Sequence, residues 1–432
     1  MLKGQFPVEK FASLRTPFYY YDLPLLRRTL DKIRECIEPY PQFHVHYAVK
    51  ANFNGKILQE ISRCGFGADC VSGGEVRAAL QNGFAPESIV YAGVGKSDEE
   101  ILLALDAGIA RFNVESAAEL EVINELALSR GVVAPVSLRV NPDIGAHTHA
   151  NITTGLAENK FGINYEQLPG VIELADSLPG VEYKGLHFHI GSQILEMDDF
   201  VALCNRINVL AEQILRQRRG RLVPAASSAA AVGYSSSAVG SAGVSGSGVA
   251  AGAAAGVAGA AGAAASVLGD INVGGGLGIN YYHPNHLDVA EFSQYFETFA
   301  RHLKLPEGTP VHFELGRSVV APCGSLISRV LYIKEGTTRR FAIIDASMTE
   351  LIRPALYKAY HRVENISSYE PEEVYDVVGP VCESSDVFAK GVSIDKCHRG
   401  DFIAIRSAGA YGESMSSQYN CRPLPACFFK ED

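Results

Sequence analysis

Between Phe43 and Val49 apolar and polar residues alternate as FHVHYAV. This period of two predicts a strand with His44, His46, Ala48 and Lys50 on one face. Similar short runs follow along the chain: GFGADCVSG, SIVYAGVG, ARFNVES, VSLRVNP, GLHFHIGSQ, DINVGGGLG and VHFELGR. Between them lie segments with helical periodicity, such as GKILQEISRCG, GGEVRAALQNG, AAELEVINELALSRG and DDFVALCNRINVLAEQILRQ. Strand-then-helix units repeated eight times predict an α/β fold, a parallel (β/α)8 barrel of the TIM type. The residues that interrupt the apolar pattern are Lys50, Asp69, Asn113, Arg139, His189, Gly274 to Gly276 and Glu314. They cluster at the ends of the runs, and barrels of this kind carry their active sites at the carboxyl ends of the strands.

After Arg317 the texture changes. LISRVLYIKEG, RRFAIIDAS, VYDVVGPVC and GDFIAIRSAG are β-rich without intervening long helices, which predicts a C-terminal antiparallel β domain. The expected division is a barrel over 17–318, with 1–16 and 319–432 forming a β domain that completes the active site. One stretch fits neither part. Residues 222–269 carry no charge and are almost entirely Ala, Gly, Ser and Val, too little bulky apolar surface to offset the entropy of ordering. Gly248, Gly252 and Gly256 have the small-xxx-small spacing of membrane helix pairs, but Leu, Ile and Phe are missing through the middle. A flexible insertion between a barrel helix and the next strand, away from the strand carboxyl ends, is the expectation.

Length and charge narrow the field. At 432 residues the chain can hold two or three domains, and its formal charge of −10 argues against nucleic acid or an anionic membrane as partner. The opening MLKGQFPVEK lacks the apolar run of a secretory signal. The nine cysteines include no C-x-x-C pair, which points to reduced thiols and a cytoplasmic protein.

Lys50 ends a strand-like run at the expected mouth of the barrel. Loss of solvation there lowers an ammonium pKa, and a neutral amine can form a Schiff base with an aldehyde cofactor. The triplet Gly274-Gly275-Gly276 can bring backbone N–H groups close to a phosphate. It is not a dinucleotide fingerprint, because Ile279 stands at the last glycine position of G-x-G-x-x-G. Glu314 can pair with a protonated ring nitrogen, and Arg317 can neutralise a phosphate or grip a carboxylate. A local salt bridge between these two residues is the simpler alternative. His44-x-His46 and His187-x-His189 also resemble the ligand pairs of a metal hydrolase, but such a site wants further carboxylate or histidine ligands at late strands, where Gly316 and Arg317 stand. A flat imidazole at His189 against a cofactor ring, with Ser192 bonding its phosphate, fits better, and no metal is expected.

With the motifs YAVKAN, SGGE, RVNP, KFGI, HIGSQ, GGGLGINY, ELGR, RPALY, GPVCES and AGAY, the chain resembles the diaminopimelate decarboxylase family. Its members are pyridoxal-phosphate enzymes of the alanine-racemase-like barrel class, related to ornithine and arginine decarboxylases. The resemblance spans nearly the whole chain except the Ala/Gly-rich stretch. It implies that Lys50 carries the cofactor, His189 stacks on its ring and Glu314 pairs with its nitrogen. Asp69, Ser192, Gly274, Gly275, Gly276, Gly316, Arg317 and Tyr411 are implied around the cofactor. Arg317, Arg353, Tyr357, Glu383 and Tyr411 are implied around the substrate. Cys382 matches an acid that such enzymes contribute across a dimer interface, so a homodimer with its active site between subunits is implied. Leu315 stands where the family usually has proline.

The implied reaction is loss of CO2 from the D-configured carbon of meso-2,6-diaminopimelate, giving L-lysine, the last step of lysine biosynthesis. Cys382 or Lys50 would return the proton. Arg353 and Glu383 suit the carboxylate and ammonium of the far end, a charge pair that ornithine and arginine lack. The alternatives are a decarboxylase of another basic amino acid or of carboxynorspermidine, a non-catalytic homologue like the antizyme inhibitors, and a metal hydrolase.

Overall fold

In a computed structural model, residues 6–142, 144, 160–222, 267–284 and 289–431 are described. The Ala/Gly-rich stretch, from 223 to 266, lies outside the described residues. Strand β1 (Phe18–Asp22) is followed by β2 (Phe43–Ala48), β3 (Gly67–Cys70), β4 (Ile89–Tyr91), β5 (Arg111–Val114), β6 (Ala134–Arg139), β7 (Val181–His187), β8 (Asp270–Asn272) and β9 (Val311–Leu315). Strands β2 to β9 pair in parallel and in order, and β9 closes on β2, giving the expected barrel. Each strand falls within or overlaps one of the eight apolar runs read from the sequence.

The period of two in β2 divides its side chains between two environments. Phe43 packs on Phe313 at 4.9 Å and on Phe296 of the helix 289–302 at 6.4 Å. His46 instead meets His312 across the strand pair. Local signals fix the helix ends. Ser72, Ser97 and Ser116 each accept a hydrogen bond from the backbone N–H three residues on, and Ser97 with Glu100 forms a full capping box. Gly108 and Gly131 close two helices in the left-handed conformation.

The remaining strands form a second, eight-stranded sheet: β1 with β10 (Gly324–Glu335), β11 (Arg340–Ile344), β12 (Val363–Asn365), β13 (Glu372–Val378), β14 (Val387–Asp395), β15 (Phe402–Ile405) and β16 (Ala426–Lys430). Two features differ from expectation. The sheet is mixed, because β1 runs parallel to β16 and β11 parallel to β13. The N-terminal strand given to this sheet is 18–22, just inside the stretch assigned to the barrel. The reason is the aromatic run in β1. Phe18 and Tyr20 join a cluster with Phe11, Ile327 and Phe402, while Tyr19 and Tyr21 face the main core. Only a strand between two apolar layers buries all four rings. Among the described residues no helix is long and apolar enough to cross a membrane.

Candidate active site

The carboxyl ends of the barrel strands and the outer sheet enclose a cleft of about 160 Å³, lined by Ala48, Lys50, His189, Ser192, Gly276, Leu277, Glu314, Gly316, Arg317, Arg353, Tyr357, Tyr411 and Met415. It adjoins a larger cavity of about 530 Å³ that shares Leu277, Arg317, Arg353 and Tyr357.

Lys50 lies just beyond β2, in a single 3-10 turn, Val49–Ala51. The outer domain clamps that turn: Tyr411 N–H donates to Ala51 O at 2.7 Å, and Asn52 Nδ2 donates to Gly409 O at 2.9 Å. Lys50 Nζ donates to Asp69 Oδ2 at 2.8 Å. Burial pushes the ammonium pKa down, but Asp69, helped by Tyr411 and Glu314, outweighs it and holds the value above the ordinary range. The fall expected from the sequence is therefore reversed, because its barrel-end position also places a buried carboxylate in contact. Burial and the nearby Glu314 raise Asp69 to about 6, against the pull of Lys50. At neutral pH the two remain an ion pair.

Glu314 ends its run as expected, but its setting was not legible. Its Oε1 accepts from Asn272 Nδ2 at 2.8 Å and from Asn113 Nδ2 at 3.3 Å, and Oε2 lies 3.1 Å from His187 Nε2. Burial alone would raise this carboxyl. His187 and Lys50 overcome burial and keep it well below the usual carboxylate range. An ionised carboxylate only accepts, so His187 carries its proton on Nε2. His187, Asn113 and Asn272 come from three different strands. Asn113 stood out in the sequence as a polar residue at a run end and His187 as half of an H-x-H pair, whereas Asn272 drew no attention; none pointed to Glu314.

His189 follows β7, and Gly275 N–H donates to its Nδ1 at 3.4 Å. Burial, with Arg139 and Lys50, lowers its pKa to about 3, so the ring is neutral. Arg139 itself pairs with Glu115 at 2.6 Å. The glycine triplet divides its work. A Cβ at Gly274 would sit 2.3 Å from Phe188 O and one at Gly275 1.9 Å from Glu314 O, so close packing requires both glycines. Their N–H groups bond Asn272 Oδ1 and His189 Nδ1. Only Gly276, at φ +106°, lines the cleft.

Arg317 Nη2 donates to Ser192 Oγ at 3.0 Å. Arg353 opens the short helix Arg353–Tyr357, and Tyr411 takes a positive φ of 54° that holds it over Ala51. Cys382 and Glu383 are exposed and do not line the cleft; Glu383 Oε1 accepts from Tyr419 OH at 3.0 Å. The two H-x-H pairs occupy different levels of the barrel. His46 bonds to His312, whose Nε2 lies 3.3 Å from Asp270, whereas His187 reaches Glu314 and His189 lines the cleft. They do not converge.

Comparison with known proteins fits this geometry. The pyridoxal binding domain of the pyridoxal-dependent decarboxylases matches residues 26–218. Diaminopimelate decarboxylase of Bacteroides thetaiotaomicron is 54% identical over 431 residues, covering 100% of both chains. The chain belongs to the diaminopimelate decarboxylase family. The Zymomonas mobilis member is 36% identical over 96% of this chain and 87% of its own. The crystal structure of the Helicobacter pylori enzyme complexed with L-lysine superposes with a TM-score of 0.79 at 34% identity, covering 98% of this chain and 94% of that one. An M. jannaschii member in co-complex with L-lysine gives a TM-score of 0.80 at 30% identity, covering 100% of this chain and 90% of that one. Family members therefore share both layers of the fold described above.

The site fits a pyridoxal group on its own evidence. Behind the cleft, Asp69 Oδ1, Asn113 Oδ1 and His187 Nδ1 are buried without a hydrogen-bond partner, on the side chains that bond Lys50 and Glu314. The donor set also matches, with a lysine amine, an ionised carboxylate, a neutral flat imidazole and an arginine around one cleft.

Proposed function

We propose that this chain is a pyridoxal-phosphate-dependent carboxy-lyase that converts meso-2,6-diaminopimelate to L-lysine and CO2, the last step of lysine biosynthesis. One observation carries the reading. A single cleft is lined by Lys50 and Glu314 together with two buried guanidiniums, Arg317 and Arg353. Diaminopimelate has the matching pattern, a reacting amino-acid end and a distal end with its own carboxylate. Ornithine and arginine have only cationic far ends.

When bound, pyridoxal phosphate supplies an electron sink for the bond that loses CO2. Lys50 Nζ would hold its aldehyde, with Asp69 orienting that amine. Glu314 would hold the ring nitrogen and keep its proton in place, because three donors already fix the carboxylate as an anion. His189 would lie flat against the ring. Ser192, Gly276, Gly316, Arg317 and Tyr411 would surround the phosphate, while Gly274 and Gly275 brace the loop beneath. Arg353 and Tyr357 would bind the distal carboxylate together with Arg317.

Cys382 and Glu383 would come from a second copy of the chain, with Glu383 meeting the distal ammonium. Cys382 Sγ or Lys50 Nζ would return a proton to the carbon. The exposure of Cys382 and Glu383 outside their own cleft supports a homodimer of this kind. The nine free thiols support a cytoplasmic setting. For the domains, the reading is a barrel unit running to about residue 318 and an outer β unit from 319 onward, joined by β1.

The test is purified protein with added pyridoxal phosphate, assayed for CO2 and L-lysine from meso-diaminopimelate beside ornithine, arginine and carboxynorspermidine. Activity confined to another substrate rejects the assignment. Borohydride trapping followed by peptide mapping is expected to place the label on Lys50.

A further inference from the structure

Arg317 and Arg353 are both buried, and among the described residues no carboxylate pairs with either. Their hydrogen bonds go to neutral groups. Arg317 Nη1 donates to Tyr281 OH at 2.7 Å, and Arg353 Nη2 donates to the same oxygen at 3.3 Å. A phenol has two lone pairs and one proton, and guanidiniums only donate. Both lone pairs of Tyr281 are therefore occupied, and its proton is directed to neither arginine. Tyr281 is almost fully buried and lines the cavity of about 530 Å³ beside both arginines.

Behind this group stands His361, fully buried in the outer domain. Its Nδ1 lies 2.9 Å from Arg406 O, and Arg353 Nε donates to its Nε2 at 3.3 Å. A carbonyl can only accept, so Nδ1 holds the proton and Nε2 presents the lone pair to Arg353. The ring is thus neutral with a single tautomer. It also meets the Tyr281 ring edge-on, with centroids 5.0 Å apart.

We propose that Tyr281 is a specificity-determining residue, whose O–H joins Arg317 and Arg353 as a third donor to the distal carboxylate of the substrate, and that His361 is the positioning residue that aims Arg353 at that carboxylate. The inference rests on the function proposed above. A third donor matters because two buried cations without a fixed geometry attract any anion. A hydroxyl held between them selects a planar carboxylate at one position. The contact lies away from the reacting carbon, so it contributes equally before and during the chemical step.

The experiment uses Tyr281→Phe, which keeps the ring and its packing, in the cofactor-loaded full chain. The expected result is a KM for meso-diaminopimelate raised roughly tenfold with kcat within about twofold. The dissociation constant of L-lysine, which retains that carboxylate, rises in parallel, and cofactor affinity is unchanged. His361→Leu raises both constants as well, and His361→Gln, which restores an acceptor, recovers part of the loss. Unchanged KM and L-lysine binding in Tyr281→Phe overturns the proposal, and so does a change explained by weakened cofactor binding, which would place Tyr281 at the phosphate. L-lysine binding is measured by calorimetry without turnover. If the wild type fails on meso-diaminopimelate, the function assignment falls while this arm still decides the role of Tyr281.

Discussion

The two walls of the cleft are built differently. On the barrel side, Glu314, Asn113, Asn272 and His187 lie on β9, β5, β8 and β7, where parallel register fixes their heights, and the last three bond directly to Glu314. On the outer side, Arg353 lies in a five-residue helix, Tyr411 in a loop with φ 54°, and Cys382 and Glu383 on the exposed surface. The barrel wall is built from strand residues bonded within one chain; the outer wall is built from a short helix and loops. A reacting end needs groups held to fractions of an ångström, which strands supply. Recognition of a far end can be assembled from a short helix and loops.

The largest effect is expected from Lys50→Ala. Loss of the amine that lines the cleft should lower kcat by about 10³-fold or more, read as CO2 release, while the cleft keeps its shape. Activity within tenfold of wild type would show that the strand-built wall is not the reacting end.

Glu314→Gln comes next. A neutral amide cannot hold a ring proton as an anion does, so kcat should fall by about 10²-fold. The visible spectrum of the bound cofactor should shift, and the thermal midpoint should fall, because the amide NH2 meets a buried donor where the carboxylate accepted.

The proposal that a second copy contributes to the outer wall can be tested by complementation. Lys50→Ala copies mixed with Glu383→Ala copies, each nearly inactive alone, should regain activity, because a mixed dimer contains one intact cleft. No regain after subunit exchange would show that Glu383 acts, if at all, within its own chain.

The smallest effect concerns pH. Burial, then Arg353, lowers His361 to about 3 from its ordinary value of 6.5. An unfolded chain takes up that proton below about 6.5, whereas the folded chain does not. The stability that His361 contributes is therefore present above about 6.5 and is lost as pH falls toward 3. His361→Gln takes up no such proton. Its deficit in thermal midpoint relative to wild type should be largest near pH 7.5 and narrow by pH 5. A deficit independent of pH would mean that His361 is not held neutral by the outer wall.

Much of the barrel wall was legible in the amino-acid pattern. The alternation in FHVHYAV, the serine caps and the glycine closures are local signals, and each barrel strand met its run. Lys50, His189 and Glu314 were visible because polar residues at the ends of apolar runs have few structural reasons to be there. Asn113 and His187 carried weaker signals, and Asn272 drew no attention. Their shared purpose depends on three strands meeting around Glu314, which no single segment encodes. Tyr281 sat inside a recognised motif, yet its role needs two arginines from distant segments to converge on one oxygen.

The order of strand and helix, and hence the closed barrel, follows from hydrophobic period and capping, which act over a few residues and survive in the sequence. The protonation of Lys50 does not. Burial alone predicts a neutral amine, and only the tertiary contact with Asp69 at 2.8 Å reverses it. Placement of β1 in the outer sheet was likewise decided by packing, because four adjacent aromatic rings need apolar layers on both faces. Coulombic and packing energies depend on which distant groups come within a few ångströms, and that proximity exists only once the chain has folded.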